Sequence, residues 1–255
     1  MLEARGLFKY YGSVPALRNV SFHIGPGQVL GYLGPNGSGK STTVKLLTGI
    51  LEPTRGQVLF SGKNIHDDLV SYRKRLGYVP EEANLYGYMT GEEYLEMVGT
   101  FREMPSPVLS QRVDGLLELF SLTSQRSVPM SSYSKGMRQK ILLIAALMDD
   151  PEILILDEPL SGLDAVSSLI FRYLIQGLCS KGKAIFYCSH VLEVVEKVCT
   201  QLLILQRGEA IAHGSIDDVR QQIGQSTVED IFLQVVAEKD VLRIANDIVD
   251  VITKR

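Results

Sequence analysis

Gly34-Pro35-Asn36-Gly37-Ser38-Gly39-Lys40-Ser41-Thr42 fits the pattern G-x-x-x-x-G-K-[ST] and stands where a strand hands over to a helix. Before it, Gln28-Val29-Leu30-Gly31-Tyr32-Leu33 is apolar and short enough for a buried strand. After it, Val44, Leu46, Leu47 and Ile50 recur at helical spacing. The glycines let the backbone bend so that several N–H groups point at one anion. Lys40 adds a mobile positive charge for outer phosphates, and Ser41 offers a hydroxyl to Mg²⁺. With both flanks in register, the stretch reads as a phosphate cradle rather than a bare glycine-rich turn.

Upstream, 2–12 and 16–24 alternate apolar with polar residues, as antiparallel strands do, and Pro26-Gly27 turns the chain into the strand before the cradle. Downstream come a short strand at 57–61 and a core strand, Leu76-Gly77-Tyr78-Val79-Pro80. From Thr90 to Leu122 the period changes: Tyr94, Leu95, Val98 and Phe101, then Val113, Leu116, Leu117 and Phe120, recur at helical spacing around the breaker Pro105-Ser106-Pro107. The helical repeat resumes after Gly136 and stops at Asp149-Asp150-Pro151. This predicts an inserted helical subdomain over about 88–150.

Ile153-Leu154-Ile155-Leu156, ended by Asp157-Glu158-Pro159, has the profile of a central parallel strand, and 183–188 is the next one. A hairpin is expected around Arg207-Gly208. The last forty or so residues, from Ile216, carry two amphipathic stretches broken at Gly224-Gln225-Ser226. The expected organisation is one nucleotide-binding domain over 1–215 and a helical C-terminal extension over 216–255. The expected fold is α/β: a P-loop NTPase core with a mostly parallel sheet, an N-terminal antiparallel β subdomain and the helical insert.

The chain has 255 residues, 45% hydrophobic and 22% charged, enough for a substantial core. Its apolar runs stop well short of the roughly 18 residues of a membrane span. The beginning, Met1-Leu2-Glu3-Ala4-Arg5, lacks the order of a secretory signal, which predicts a cytosolic protein. Cys179, Cys188 and Cys199 are odd in number and widely spaced, which suits a reducing compartment and argues against a zinc ribbon. At a net charge of −3, with no Lys/Arg run, nucleic acid is not an expected partner.

Phosphate binding alone specifies no outcome. Hydrolysis also needs a carboxylate for Mg²⁺, a group to deprotonate water, and a sensor of the γ-phosphate. Asp157 and Glu158 supply the first two at the carboxyl end of a buried strand, where sites of open α/β sheets collect. A solvated turn is the ordinary reading of one Asp-Glu pair, but four aliphatics and an upstream phosphate loop argue against it. His190, directly after the next strand, can hydrogen-bond both the γ-phosphate and the catalytic carboxylate.

These ordered parts resemble the nucleotide-binding subunit of ATP-binding cassette (ABC) transporters, over nearly the whole chain from Leu2 to about Gly214. The resemblance makes 34–42 the Walker A loop, 153–158 the Walker B strand, Ser161 to Asp164 the D-loop and His190 the switch histidine. It places Tyr11 on adenine, with Tyr10 as the rival. The family signature Leu-Ser-Gly-Gly-Gln stands here as Tyr133-Ser134-Lys135-Gly136-Met137, keeping the serine and the second glycine. The Q-loop glutamine is replaced by Glu81, whose carboxylate can ligate Mg²⁺ yet repels a γ-phosphate. Both departures are similar to those of exporter-type cassettes whose membrane subunit is a separate chain.

The resemblance further implies ATP and Mg²⁺ as ligands and a second nucleotide-binding subunit, a homodimer in the simplest case, with Ser134 and Gly136 of one copy completing the other's site. It implies a transmembrane permease as partner and a position on the cytoplasmic face of the cell membrane. A soluble cassette ATPase acting on ribosomes or DNA is the competing reading. Such proteins usually carry paired cassettes, a long coiled-coil insertion or basic patches, none visible here.

Overall fold

Alternating apolar and polar residues build an antiparallel pair from β1 (Leu2–Tyr11) and β2 (Val14–Ile24), with Leu2 opposite Ile24 and Tyr11 opposite Val14. The computed structural model describes residues 1–224, 227–236 and 241–253. The all-buried β3 (Val29–Leu33) follows, and the glycine-rich loop leads from it into α1 (Lys40–Leu47). β4 (Arg55–Phe60) then returns to pair with β1, and β5 (Lys63–Asn64) pairs with β4, completing a four-stranded antiparallel sheet ordered β2-β1-β4-β5. The short α2 (Leu69–Lys74) leads into β6 (Leu76–Val79).

Three helices form the insert: α3 (Gly91–Phe101), α4 (Ser106–Leu119) and α5 (Lys135–Leu147). A capping box between Thr90 and Glu93 starts α3. Pro105-Ser106-Pro107 starts α4, because a proline in the first turn forfeits only an N–H that has no helical partner. Ser134 caps α5 by accepting from Met137 N–H at 3.2 Å.

The second half alternates strand and helix: β7 (Ile153–Asp157), α6 (Ala165–Ser180), β8 (Ala184–Cys188), α7 (Leu192–Val198), β9 (Gln201–Gln206) and the edge strand β10 (Glu209–Ser215). Three helices end the described chain: α8 (Ile216–Ile223), α9 (Val228–Val236) and α10 (Val241–Thr253). Three stand where the sequence pattern predicts two stretches, and Gln225 and Ser226 of the expected break lie outside the described residues.

The six-stranded sheet runs β10-β9-β3-β8-β7-β6, every pair parallel except β9 with β10. Parallel strands present their carboxyl ends on one edge. Since β3, β8 and β7 are neighbours, the loops after them are forced together, and the residues after β6 join them. One apolar layer fills the space between the two sheets around Val44, Leu46 and Leu47 of α1. A second covers the opposite face of the parallel sheet, and a third holds the helical insert around Leu95, Val113, Leu117 and Ile141.

The boundary expected at residue 215 runs through packed core. Ile216 and Val219 of α8, with Val228 and Ile231 of α9, join the layer containing Val195, Val198 and Leu202. An apolar side chain in a short amphipathic helix buries against whatever face is open, and here the face is the parallel sheet with α7. Likewise α5 serves two layers: Ile141 and Ile144 pack in the insert, while Leu142, Leu143 and Ala146 pack against the sheet.

Candidate functional site

The glycine loop is held in shape by close backbone approach. A Cβ on Gly34 would lie 2.3 Å from Leu205 O, and one on Gly39 would lie 2.6 Å from Ala16 O. Gly39 also sits at φ +113° and Gly37 at φ +78°, where side chains are strained. Gly39 N-caps α1 with no side-chain hydrogen bond, so the first N–H groups of α1 are left to whatever anion arrives. Ser38 turns inward, buried, its carbonyl accepting from Gly208 N–H at 2.9 Å. Its Oγ has no hydrogen-bond partner. Lys40 folds back over the loop, with Nζ donating to Gly34 O at 2.7 Å and Pro35 O at 3.1 Å. One of its three N–H donors is left over.

A cavity of about 260 Å³ opens above this loop. Asn36, Gly37, Gly39, Lys40, Ser41 and Thr42 line one wall, Asp157, Glu158, Glu81 and His190 the other, and Ala16 closes an end. Five stretches separated in sequence therefore meet around this cavity, four of them at the predicted strand edge.

Asp157 ends β7 opposite Cys188. Burial pushes its carboxyl up to about 6, against a hydrogen bond from the Cys188 thiol. The charges of Glu81 and Glu158 push the same way, and Lys40 opposes them. Glu158 is buried at φ +48°, a conformation uncommon outside glycine and found where a site over-determines the backbone. Its N–H donates to Cys188 O at 2.9 Å. Both carboxylate oxygens are held: Oε1 lies 2.8 Å from His190 Nδ1, and Oε2 accepts from Ser189 Oγ at 3.2 Å. A carboxylate only accepts, so the shared proton is on Nδ1 and Nε2 is free to face a ligand. His190 is otherwise solvent-exposed.

Ser41, Asp157 and Glu81 offer only oxygen donors, a set that fits a hard ion such as Mg²⁺. Among the described residues no group of three His, Cys, Asp or Glu side chains is placed to hold a metal unaided. The desolvated Asp157, crowded by two carboxylates, is a place where a cation gains.

Gly34, Pro35 and Ser38 shape the loop from behind rather than line the cavity. Tyr11 and Tyr10 are both exposed and neither lines it. Tyr11 ends β1 and is joined by a tight turn to β2, whose Ala16 does line it, and Lys9 Nζ lies 5.9 Å from the Tyr11 ring centroid. Ser134 and Gly136 are outside the cavity. Their helix instead packs on the same chain's 159–163 segment, where a Cβ on Gly136 would lie 2.5 Å from Gly162 O. Ser189 and Ala16 join the site with no role expected of either from the sequence. The signal for Ser189 is its place between the buried strand and His190. Ala16 carries no chemical signal at all.

Among the described residues no helix is long and apolar enough to cross a membrane. The sequence pattern of the family described as "ABC transporter" matches residues 17–161. The chain is 41% identical over 208 residues to "Uncharacterized ABC transporter ATP-binding protein all4389" of Nostoc sp., covering 81% of this chain and 62% of that one. It therefore spans about three fifths of that relative's length. It is 33% identical to "Nod factor export ATP-binding protein I" of Ralstonia nicotianae, covering 90% of this chain and 72% of the relative. A solved "Structure of ATP binding subunit of ABC transporter" superposes with a TM-score of 0.87 at 31% identity, covering 92% of this chain and 99% of that one.

Proposed function

The chain belongs to the ABC transporter family as an ATP-binding ATPase subunit, and on that premise we propose that it energises transport through a separate transmembrane permease by ATP-driven closure of a dimer. The observation that carries this is the meeting of Lys40, Asp157 and Glu158 in one cavity. Loop N–H groups and Lys40 hold the phosphates, and Tyr11 stacks on the adenine. Ser41 and Asp157 would hold Mg²⁺, with Glu81, which also lines the cavity, as a further oxygen donor. The chemistry such an ion would supply is neutralisation of negative charge on the phosphates. Glu158 takes the proton of the attacking water, and His190 and Ser189 keep its carboxylate aimed.

Ser134 and Gly136 act in trans. They are outside their own chain's cavity, so a second copy must bring the N-terminus of α5 over the γ-phosphate, where N–H groups and Lys135 complement its charge. The permease docks between core and insert, where Tyr86 and Tyr88 are exposed and their rings lie 5.9 Å apart. The protein then sits on the cytoplasmic face of the cell membrane. Export is the favoured direction, in line with the signature and Q-loop departures and with the Ralstonia relative's name.

The test is Glu158→Gln, which removes the base and keeps the shape. The purified variant is expected to associate into dimers on adding ATP, read by sedimentation, while hydrolysing little of it. A variant that stays monomeric with ATP refutes the clamp. Co-sedimentation of the wild type with ribosomes, and no capture of a polytopic membrane protein, would replace transport with the soluble reading.

A further inference from the structure

Helix α5 touches the segment after Asp157-Glu158 at two points. Gly136 packs against Gly162 O, and one turn on, Gln139 Nε2 donates to Pro159 O at 3.1 Å. Gln139 is 1% exposed and is followed by Ile141, Leu142, Leu143 and Ile144, all buried. An amide in such surroundings is costly unless its hydrogen bond has a purpose, because an apolar side chain would fill the same space without desolvating a polar group. Its acceptor is the carbonyl next to the residue at φ +48° whose carboxylate is clamped by Ser189 and His190. A Ser161 N–H to Glu158 O bond of 3.0 Å closes the turn around it. Displacing Pro159 O therefore turns a short, strained unit with Glu158 at its start.

We propose that Gln139 is a positioning residue that couples the orientation of α5 to the aim of Glu158 in the same chain. The α5 N-terminus carries Ser134 and Gly136, so a phosphate engaged there by a neighbouring copy is felt one helical turn later at Pro159 O. The proposal rests on the assignment of Glu158 as base and adds a route by which one site sets the other's readiness. Gly136 and Gln139, three residues apart, lie on one face of the helix, which makes the two contacts a single rigid lever.

The experiment compares wild type, Gln139→Met, which keeps length and volume without a donor, and Glu158→Gln. Gln139→Met is expected to lower kcat about tenfold, with KM for ATP within about twofold, as for loss of an interaction felt only in the transition state. A packing role alone predicts an unchanged kcat, because Met suits the apolar site. If Glu158→Gln is inactive while Gln139→Met keeps the wild-type kcat, the coupling is overturned. If Glu158→Gln hydrolyses like wild type, the assignment beneath it falls, and the coupling with it. Hydrogen exchange on folded Glu158→Gln protein covers the case of a misfolded Met variant. ATP should slow exchange at 135–139 and 160–163 together, and slowing at 135–139 alone overturns the proposal.

Discussion

Replacing Asp157 by Asn should stabilise the nucleotide-free protein at neutral pH and weaken its response to Mg²⁺ and ATP. The side chain is buried, and its carboxyl is held at about 6 against an ordinary 3.8, chiefly by burial and then by Glu81 and Glu158. The sign follows from linkage. A carboxyl whose folded value is raised favours folding below its unfolded value and loses that contribution as pH climbs through the folded one. The ionised group at pH 8 thus costs the fold on the order of 3 kcal/mol, at about 1.4 kcal/mol for each of some two pH units. Going from pH 8 to pH 5 the native carboxyl takes up its proton and recovers about 1.4 kcal/mol of this.

Asn carries no charge at either pH, so its advantage over Asp should be larger at pH 8 than at pH 5 by that amount. For a chain of this size the difference in Tm amounts to about 3–5 °C. The assay is scanning calorimetry of both proteins, free of nucleotide and metal, from pH 5 to pH 8. Adding Mg²⁺ and ATP should then raise the wild-type Tm much more than the variant's. A variant that melts below wild type at pH 8, or a Tm difference that ignores pH, refutes the account of Asp157 as a desolvated acid awaiting a cation.

Ser189→Ala frees one oxygen of Glu158 and should lower kcat by about tenfold to a hundredfold, the worth of one hydrogen bond to a charged group at about 1.5–3 kcal/mol, with KM unchanged in steady-state assays. Gly39→Ala forces a Cβ against Ala16 O at φ +113°. It should weaken ATP binding by at least about tenfold in fluorescence titration, since a backbone outlier of this kind costs about 1–3 kcal/mol; wild-type affinity would show that the loop tolerates a side chain there.

Most of the site was legible because its chemistry is written in local runs. The loop from Gly34 to Thr42 and the four aliphatics before Asp157 each declare a strand ending in a functional turn, and parallel pairing places both on one edge. What stayed hidden depends on distant partners. Nothing near Gln139 announces Pro159, and the left-handed backbone of Glu158 goes with contacts to Cys188, Ser189 and His190, some thirty residues on in the chain. The short helices α2 and α7 span barely two turns, too few for a periodic signature. The joining of β4 to β1 is a matter of topology, which residue patterns within each strand do not encode.

Helices α8 and α9 bear on how this tail evolves. With Val219, Val228 and Ile231 seated beneath the sheet, cutting the chain after Ser215 would uncover a greasy furrow along Val195, Val198 and Leu202. A tail grafted here from another protein is therefore no passive appendage: it has to fill the same furrow to keep that apolar face from water.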